Sequence, residues 1–275
     1  MDMDLNEKLG QLICDLGSLD SLAVAFSGGV DSSFLLKIAH DLLGNKLLAV
    51  IIDSSTFPRR ELQEAVDFVQ ALKINYQVIM AENFDIEGFA DNPTNRCYLC
   101  KRDLFANVWK VAQEKNINWV ADGSNYDDAS DYRPGMAALR ELRVISPLME
   151  AELSKADIRQ LSKGMQLKTW DKPAAACLAS RFAYGQRISA EQLKMVELAE
   201  DYLLDLGFKQ VRVRIHNQLA RIEVAPEERR IFFNEPTLDQ INIKFKELGF
   251  TYTSLDLAGY RTGSMNDKIN AGQSI

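Results

Sequence analysis

The sequence predicts an α/β protein: a doubly wound parallel sheet followed by a smaller C-terminal α+β domain. Three observations carry this. Short apolar runs alternate with helical patterns through the first two thirds of the chain. A glycine turn, Ser27-Gly28-Gly29, joins the first of these runs to its helix. After residue 185 the pattern changes to helix, hairpin, helix and strand. The expected division is therefore 1–185 and 186–275.

Leu5, Leu9, Leu12, Leu16 and Leu19 fall at helical spacing and predict an opening helix. Cys14 lies off that stripe and reads as a buried structural cysteine, not a ligand. Strands are expected at 22–26, 47–52, 76–80, 117–121 and 142–146, and helices at 32–43, 59–72, 101–115 and 154–163. Such a sheet binds ligands at the carboxyl ends of its strands. Three polar segments stand there: Ser27 to Ser33, Asp53-Ser54-Ser55, and Asp122-Gly123-Ser124-Asn125.

In the C-terminal part, Ser189-x-x-Gln192 reads as a capping box, and the helix it opens ends at Leu206-Gly207-Phe208. Val211, Val213 and Ile215 then alternate with Arg212, Arg214 and His216. After a turn near Asn217, residues 220–224 return as the second strand of a hairpin. A second helix near 237–248 ends in Leu248-Gly249-Phe250 and leads into a strand at 252–257. The helix–Leu-Gly-Phe–strand unit thus occurs twice.

The chain has 275 residues, 47% hydrophobic and 26% charged, which suits a globular protein with a full core. A net charge of −7 argues against a bulk electrostatic grip on nucleic acid. No apolar run reaches membrane-spanning length, and the acidic Met1–Asp4 start is unlike a leader peptide. Four cysteines in a chain this long point to a reducing cytoplasm and to metal or catalytic use.

The residues that carry chemistry begin with the glycine turn. Backbone N–H groups and the positive end of a helix dipole converge there, and glycine lets the backbone approach an anion closely. Ser27, Gly28, Gly29, Asp31 and Ser32 are therefore phosphate-site candidates, joined by Asp53, Ser54, Asp122 and Gly123 at the neighbouring strand ends. Neither Gly-x-x-x-x-Gly-Lys-Ser/Thr nor Gly-x-Gly-x-x-Gly is present. An ordinary capped strand–helix turn is the plainer explanation of the same residues.

Cys97-Tyr98-Leu99-Cys100 is expected in a loop after Pro93, at the start of a helix, and Cys177 lies far along the chain. Should they meet, three thiolates could hold a four-iron cluster with one iron open. Thiol or persulfide chemistry, zinc, and plain packing are the other readings; zinc lacks an obvious fourth ligand in His40 or His216. Arg212 and Arg214, two apart on a strand, share a face and could clamp a phosphate or carboxylate. Arg181 and Arg261 could join them, whereas Glu200 and Glu223 could pair with these arginines or hold a cation. The polar loop from Asp122 to Gly135 carries Asp127, Asp128, Asp131 and Arg133 and, with Asp31, is a candidate Mg²⁺ site. Lys101 could neutralise phosphate charge or simply be solvated.

Ser-Gly-Gly-x-Asp-Ser resembles the pyrophosphate loop of ATP pyrophosphatases, whose fold is adenine nucleotide α-hydrolase-like. A narrower resemblance covers nearly the whole chain. It rests on that loop, on Asp131-Tyr132-Arg133-Pro134-Gly135, and on the segment from Cys177 to Phe182 with Tyr184-Gly185. It continues through Val211-Arg212-Val213-Arg214-Ile215-His216-Asn217, Ala220-Arg221-Ile222-Glu223 and Gly259-Tyr260-Arg261. These residues are similar to the LarE family, the sulfur-inserting enzymes that help build the nickel-pincer nucleotide cofactor of lactate racemase.

The resemblance implies ATP-dependent adenylation of the carboxylates of pyridinium-3,5-biscarboxylic acid mononucleotide. It implies their conversion to thiocarboxylates, with Arg212 and Arg214 holding the substrate phosphate. It assigns residues 1–185 to ATP and 186–275 to the substrate phosphate. One-cysteine members sacrifice the sulfur at the Cys177 position; three-cysteine members carry a [4Fe-4S] cluster. Cys97, Cys100 and Cys177 together put this chain with the second type. The expected cofactors are ATP, Mg²⁺ and the cluster. The expected setting is a cytoplasmic homo-oligomer acting on a small-molecule nucleotide, with no membrane or nucleic-acid partner and an unidentified sulfur donor. A tRNA thiolase, an amide synthetase and a non-catalytic nucleotide sensor are the competing readings.

Overall fold

The computed structural model describes residues 4–130, 135–174 and 176–261. The chain divides into two compact units, 1–89 with 95–175, and 90–94 with 176–275.

The first unit opens with α1 (Leu5–Gly17), whose N-cap Asp4 and Glu7 form a reciprocal capping box. Then β1 (Leu22–Ala25), α2 (Val30–Leu43), β2 (Leu47–Asp53), α3 (Arg59–Ala71) and β3 (Tyr76–Met80) alternate. α4 (Arg96–Glu114), β4 (Trp119–Ala121), α5 (Gly135–Glu141), α6 (Pro147–Glu150) and α7 (Lys155–Gly164) complete it. The four strands pair in parallel in the order β3-β2-β1-β4.

The doubly wound expectation is met, and the pleat shows how. Leu22 and Val24 of β1, with Leu47, Ala49 and Ile51 of β2, pack into a core with residues of α1, α2, α3 and α7. Ala23, Leu48 and Val50 point the other way and pack with residues of α4 and α5. Alternate residues of one strand feed opposite cores, so both faces must be covered. Because β1 has β2 on one side and β4 on the other, the chain reverses its winding direction beside β1. A crevice at the carboxyl ends of these strands follows from that reversal.

Residues 142–146 do not form the fifth strand that their pattern predicts. Only Ile145 bridges, to Ala121, with Ile145 N–H donating to Val120 O at 3.0 Å and its carbonyl accepting from Asp122 N at 3.0 Å. Arg143 has φ +54°, which breaks extended backbone just before it.

The second unit holds α8 (Ala190–Asp205), β5 (Val211–His216), β6 (Leu219–Val224), α9 (Glu235–Glu247) and β7 (Tyr252–Leu255). β5 and β6 are an antiparallel hairpin, with Asn217 at φ +55° in its turn; β7 lies parallel to β6. The repeated unit is present twice: Gly207 (φ +96°) follows α8 and Gly249 (φ +105°) follows α9, each ahead of a buried phenylalanine. Only half of the Ser189 box forms; its Oγ accepts from Gln192 N–H. β7 stops at Leu255 rather than Leu257, because the chain turns at Gly259, where a Cβ would lie 2.7 Å from Val224 O.

Candidate active site

The glycine turn follows β1 as expected. Gly28 has φ +67°, and a Cβ there would sit 3.0 Å from the Ala65 side chain of α3. Glycine is required on both counts. Gly29 is the N-cap of α2, and no side chain caps that helix. Its first N–H groups therefore keep the direction that suits an anion. Ser27 Oγ lies 3.1 Å from Ser32 Oγ, which also donates to Gly29 O at 3.3 Å. Ser33 Oγ and Asp31 Oδ1 are buried and have no hydrogen-bond partner among the described residues.

The other carboxylate oxygen of Asp31 takes Lys155 Nζ at 2.5 Å and Asn125 Nδ2 at 3.4 Å. Lys155, at the start of α7, had no sequence signal beyond being a lysine near a helix start. Lys172 was legible only as a neighbour of the Cys177 segment. Its ammonium donates to Gly28 O at 3.2 Å and pairs with Glu61 and with Glu64, the latter at 2.7 Å. Burial opposes the charge on Lys172, but the two carboxylates outweigh it and raise its pKa.

The end of β4 packs against the same helix start. A Cβ on Gly123 would fall 3.0 Å from Ser32 N and 3.1 Å from Ser32 Cα. Buried Asp122 accepts from Ser124 Oγ at 2.5 Å and Ser146 Oγ at 2.7 Å, and Lys101 Nζ stands 3.5 Å away. Asp127 Oδ2 accepts from the backbone N–H of Lys155, and Asp128 Oδ2 from that of Asn125. Asp131 and Arg133 lie outside the described residues. At the end of β2, Asp53 pairs with Arg59 at 2.5 Å, and Arg59 also donates to Ser54 O.

Cys97 and Cys100 lie inside α4, not in a loop before it. The helix begins at Arg96, five residues earlier than its pattern predicts. Three residues apart, the two cysteines share one side of the helix start. The first turn has no acidic residue and no side-chain cap, and Lys101 and Arg102 follow. Cys97 and Cys177 are exposed and Cys100 is half-buried. Cys14 is exposed too, contrary to the buried cysteine expected. Among the described residues no three His, Cys, Asp or Glu side chains gather as a metal site.

In the second unit the expected arginines come together, but mostly on carboxylates. Arg181 is 3% exposed and grips Glu200 with two bonds, Nε to Oε1 at 2.8 Å and Nη2 to Oε2 at 2.7 Å. Its Nη1 donates to the carbonyls of Ala176 and Cys177. Glu200 Oε1 also accepts from Val213 N–H at 2.8 Å. Arg214 grips Glu223 in the same two-bond manner and donates to Ser180 O at 2.7 Å. Arg221 reaches Glu223 at 2.9 Å. Glu223 thus anchors arginines, with both oxygens engaged, and does not present itself to a cation as the sequence reading allowed.

Arg212, on the same face as Arg214, lies over the Tyr260 ring at 5.3 Å. Burial, then the Arg181 charge, pushes its pKa below the ordinary arginine value. Burial disfavours charge on Glu200 as well, but Arg181 overrides it and holds the carboxyl low. Arg261 is exposed.

The NAD synthase family matches residues 4–97. An uncharacterized protein of Synechocystis is 41% identical over 95% of this chain and 98% of its own. The pyridinium-3,5-bisthiocarboxylic acid mononucleotide synthase of Lactiplantibacillus plantarum is 36% identical over 98% of this chain and 97% of its own. An uncharacterized protein of Methanocaldococcus jannaschii is 31% identical over 88% of this chain and 91% of its own. The chain belongs to the family of pyridinium-3,5-bisthiocarboxylic acid mononucleotide synthases, the LarE family.

Proposed function

We propose that this chain is an ATP-dependent sulfurtransferase of nickel-pincer nucleotide cofactor biosynthesis. It converts the carboxylates of pyridinium-3,5-biscarboxylic acid mononucleotide to thiocarboxylates. The observation that carries this reading is a convergence at the carboxyl ends of the strands. The uncapped glycine loop packs at Ser32 against Gly123, and Asp122 beside it takes Lys101, the residue after the C-x-x-C pair.

A carboxylate oxygen is a poor leaving group, so the substrate must first be activated. Its carboxylate attacks the α-phosphorus of ATP, the α–β bridge breaks, and pyrophosphate departs. Sulfur then attacks the acyl carbon and AMP leaves with the bonding electron pair. The loop Ser27, Gly28, Gly29 and Ser32 holds the departing pyrophosphate, while Asp53, Ser54, Asp122 and Gly123 line the nucleotide. Lys101 offsets charge as pyrophosphate leaves. The unmet Asp31 Oδ1 suits Mg²⁺, which takes one or two carboxylates and completes its shell with phosphates.

Arg212 and Arg214 hold the substrate phosphate, with Arg181 and Glu200 as their buried frame and Arg261 at the rim. The depressed pKa of Arg212 supports this: a guanidinium that is buried and stands beside the Arg181 charge gains from an arriving anion. This reading gives the ATP work to the first unit and the phosphate work to the second. Cys97, Cys100 and Cys177 would hold a [4Fe-4S] cluster, and the placement of Cys97 and Cys100 three residues apart at the start of α4 suits two of its ligands. When bound, it would supply a renewable sulfide. Otherwise Cys177 Sγ attacks the acyl carbon and displaces AMP, and loss of the Cα proton then breaks the Cβ–Sγ bond, leaving a thiocarboxylate and dehydroalanine at 177. The enzyme works as a cytoplasmic homo-oligomer.

Pyrophosphate release is the test. It should depend on the biscarboxylate mononucleotide and match AMP one to one. Release driven by tRNA or ammonia, or ATP binding without release, would overturn the assignment.

A further inference from the structure

The loops after β2 and β3 are stitched together by side chains. Ser55 Oγ donates to Glu82 Oε1 at 2.7 Å. Beneath it, Ser54 Oγ lies 3.2 Å from Thr56 Oγ1, and Thr56 Oγ1 donates to Asn83 Oδ1 at 2.7 Å. Asn83 is 0% exposed, and Ser54 and Thr56 are nearly as deep. The Asn83 amide then donates from Nδ2 to Cys100 Sγ at 3.3 Å.

A buried amide must use both ends, and this one does. Its oxygen is fixed by Thr56, so its N–H is aimed at the sulfur. A buried asparagine is a costly way to fill space, since an apolar side chain there would carry no polar atoms to satisfy. The chain of bonds also starts at Ser54, at the end of β2, next to a strand-end carboxylate, Asp53.

We propose that Asn83 is a positioning residue for the Cys100 sulfur, with Thr56 fixing the direction of its amide. The proposal rests on the reading of Cys100 as a sulfur-handling residue. A donor bonded to a ligating or reactive sulfur orients it and draws on its charge. The same hydrogen-bonded chain ties that sulfur to the end of β2, where the nucleotide is expected.

Two variants separate this from a packing role: Asn83→Leu, which keeps the branched outline of four heavy atoms and removes the donor, and Thr56→Val, which leaves the amide but removes its anchor. In metal-free protein at one fixed pH, iodoacetamide labelling of Cys100 is compared with Cys97 in the same chain by peptide mass. Asn83→Leu should lower the Cys100-to-Cys97 ratio about threefold to tenfold, the worth of one hydrogen bond. Thr56→Val should lower it in the same direction by less. In protein reconstituted with iron and sulfide, Asn83→Leu should move the reduction potential to a more negative value. If Asn83→Leu does not fold, Thr56→Val decides. If wild-type protein takes up no iron, the cluster reading fails and the labelling ratio still decides this one. A ratio unchanged in the folded variants overturns the proposal.

Discussion

Replacing Glu200 with alanine should unfold the second unit far more easily than an ordinary surface change. Arg181 and Glu200 are both deeply buried, and the pair is bidentate. Truncation leaves the Arg181 guanidinium charged and desolvated, and takes the acceptor from Val213 N–H. Breaking a buried pair from one side costs about 3–5 kcal/mol. In a domain of roughly a hundred residues, at ~4 °C per kcal/mol, that is a fall of about 12–20 °C in the melting temperature. Scanning calorimetry reads it. The double variant Arg181→Met with Glu200→Leu should recover much of the loss, since apolar replacement of a whole buried pair is near neutral. Hydrogen exchange at 176–180 should rise in Glu200→Ala, because Arg181 also holds the Ala176 and Cys177 carbonyls. A single variant melting within about 2 °C of wild type, or a double variant no better than the single, would refute this reasoning.

The pH dependence follows from the same pair. Glu200 is held below the ordinary carboxyl range in the folded chain. Its contribution is therefore present above the unfolded value, about 4.3, and is lost as pH falls through the folded one. Melting curves of Glu200→Gln should be flatter with acid than those of wild type. Lys172 has the opposite sign: its folded pKa is raised, so its contribution is full below about 10.4 and lost as pH rises through the folded value. Lys172→Met should cost about 1–3 kcal/mol, the price of leaving Glu61, Glu64 and Gly28 O without their donor, read by urea unfolding at neutral pH. Gly123→Ala should push its methyl against Ser32 N and Cα, a strain of about 1–3 kcal/mol. If about half falls on the anion-bound state, ATP binds about twofold to twelvefold more weakly by titration calorimetry. Unchanged ATP affinity would mean that Ser32 N–H does not meet the phosphates.

The parallel sheet was legible because its strands are short apolar runs between helical stripes, and each core draws alternate residues from them. The fifth apolar run misled, because periodicity cannot see the positive φ of Arg143 that limits it to a single bridge at Ile145. α4 starts early because nothing in Arg96-Cys97-Tyr98-Leu99 forbids helix, although Pro93 had suggested a loop. The glycine loop and the arginine hairpin stood out because their chemistry needs particular residue types at short spacing. Asn83, Thr56, Ser146, Lys155 and Lys172 did not, because their partners lie far along the chain. Glu200 and Glu223 were legible as acidic residues near arginines, but only coordinates pair Arg181 with one and Arg214 with the other.

The most direct measurement is the mass of the mononucleotide after incubation with the anaerobically purified, iron- and sulfide-reconstituted enzyme, ATP and sulfide. The account predicts exchange of carboxylate oxygen for sulfur, one AMP for each exchange, and more thiocarboxylate than enzyme. A mononucleotide of unchanged mass beside consumed ATP, or an amide in place of a thiocarboxylate, would contradict it.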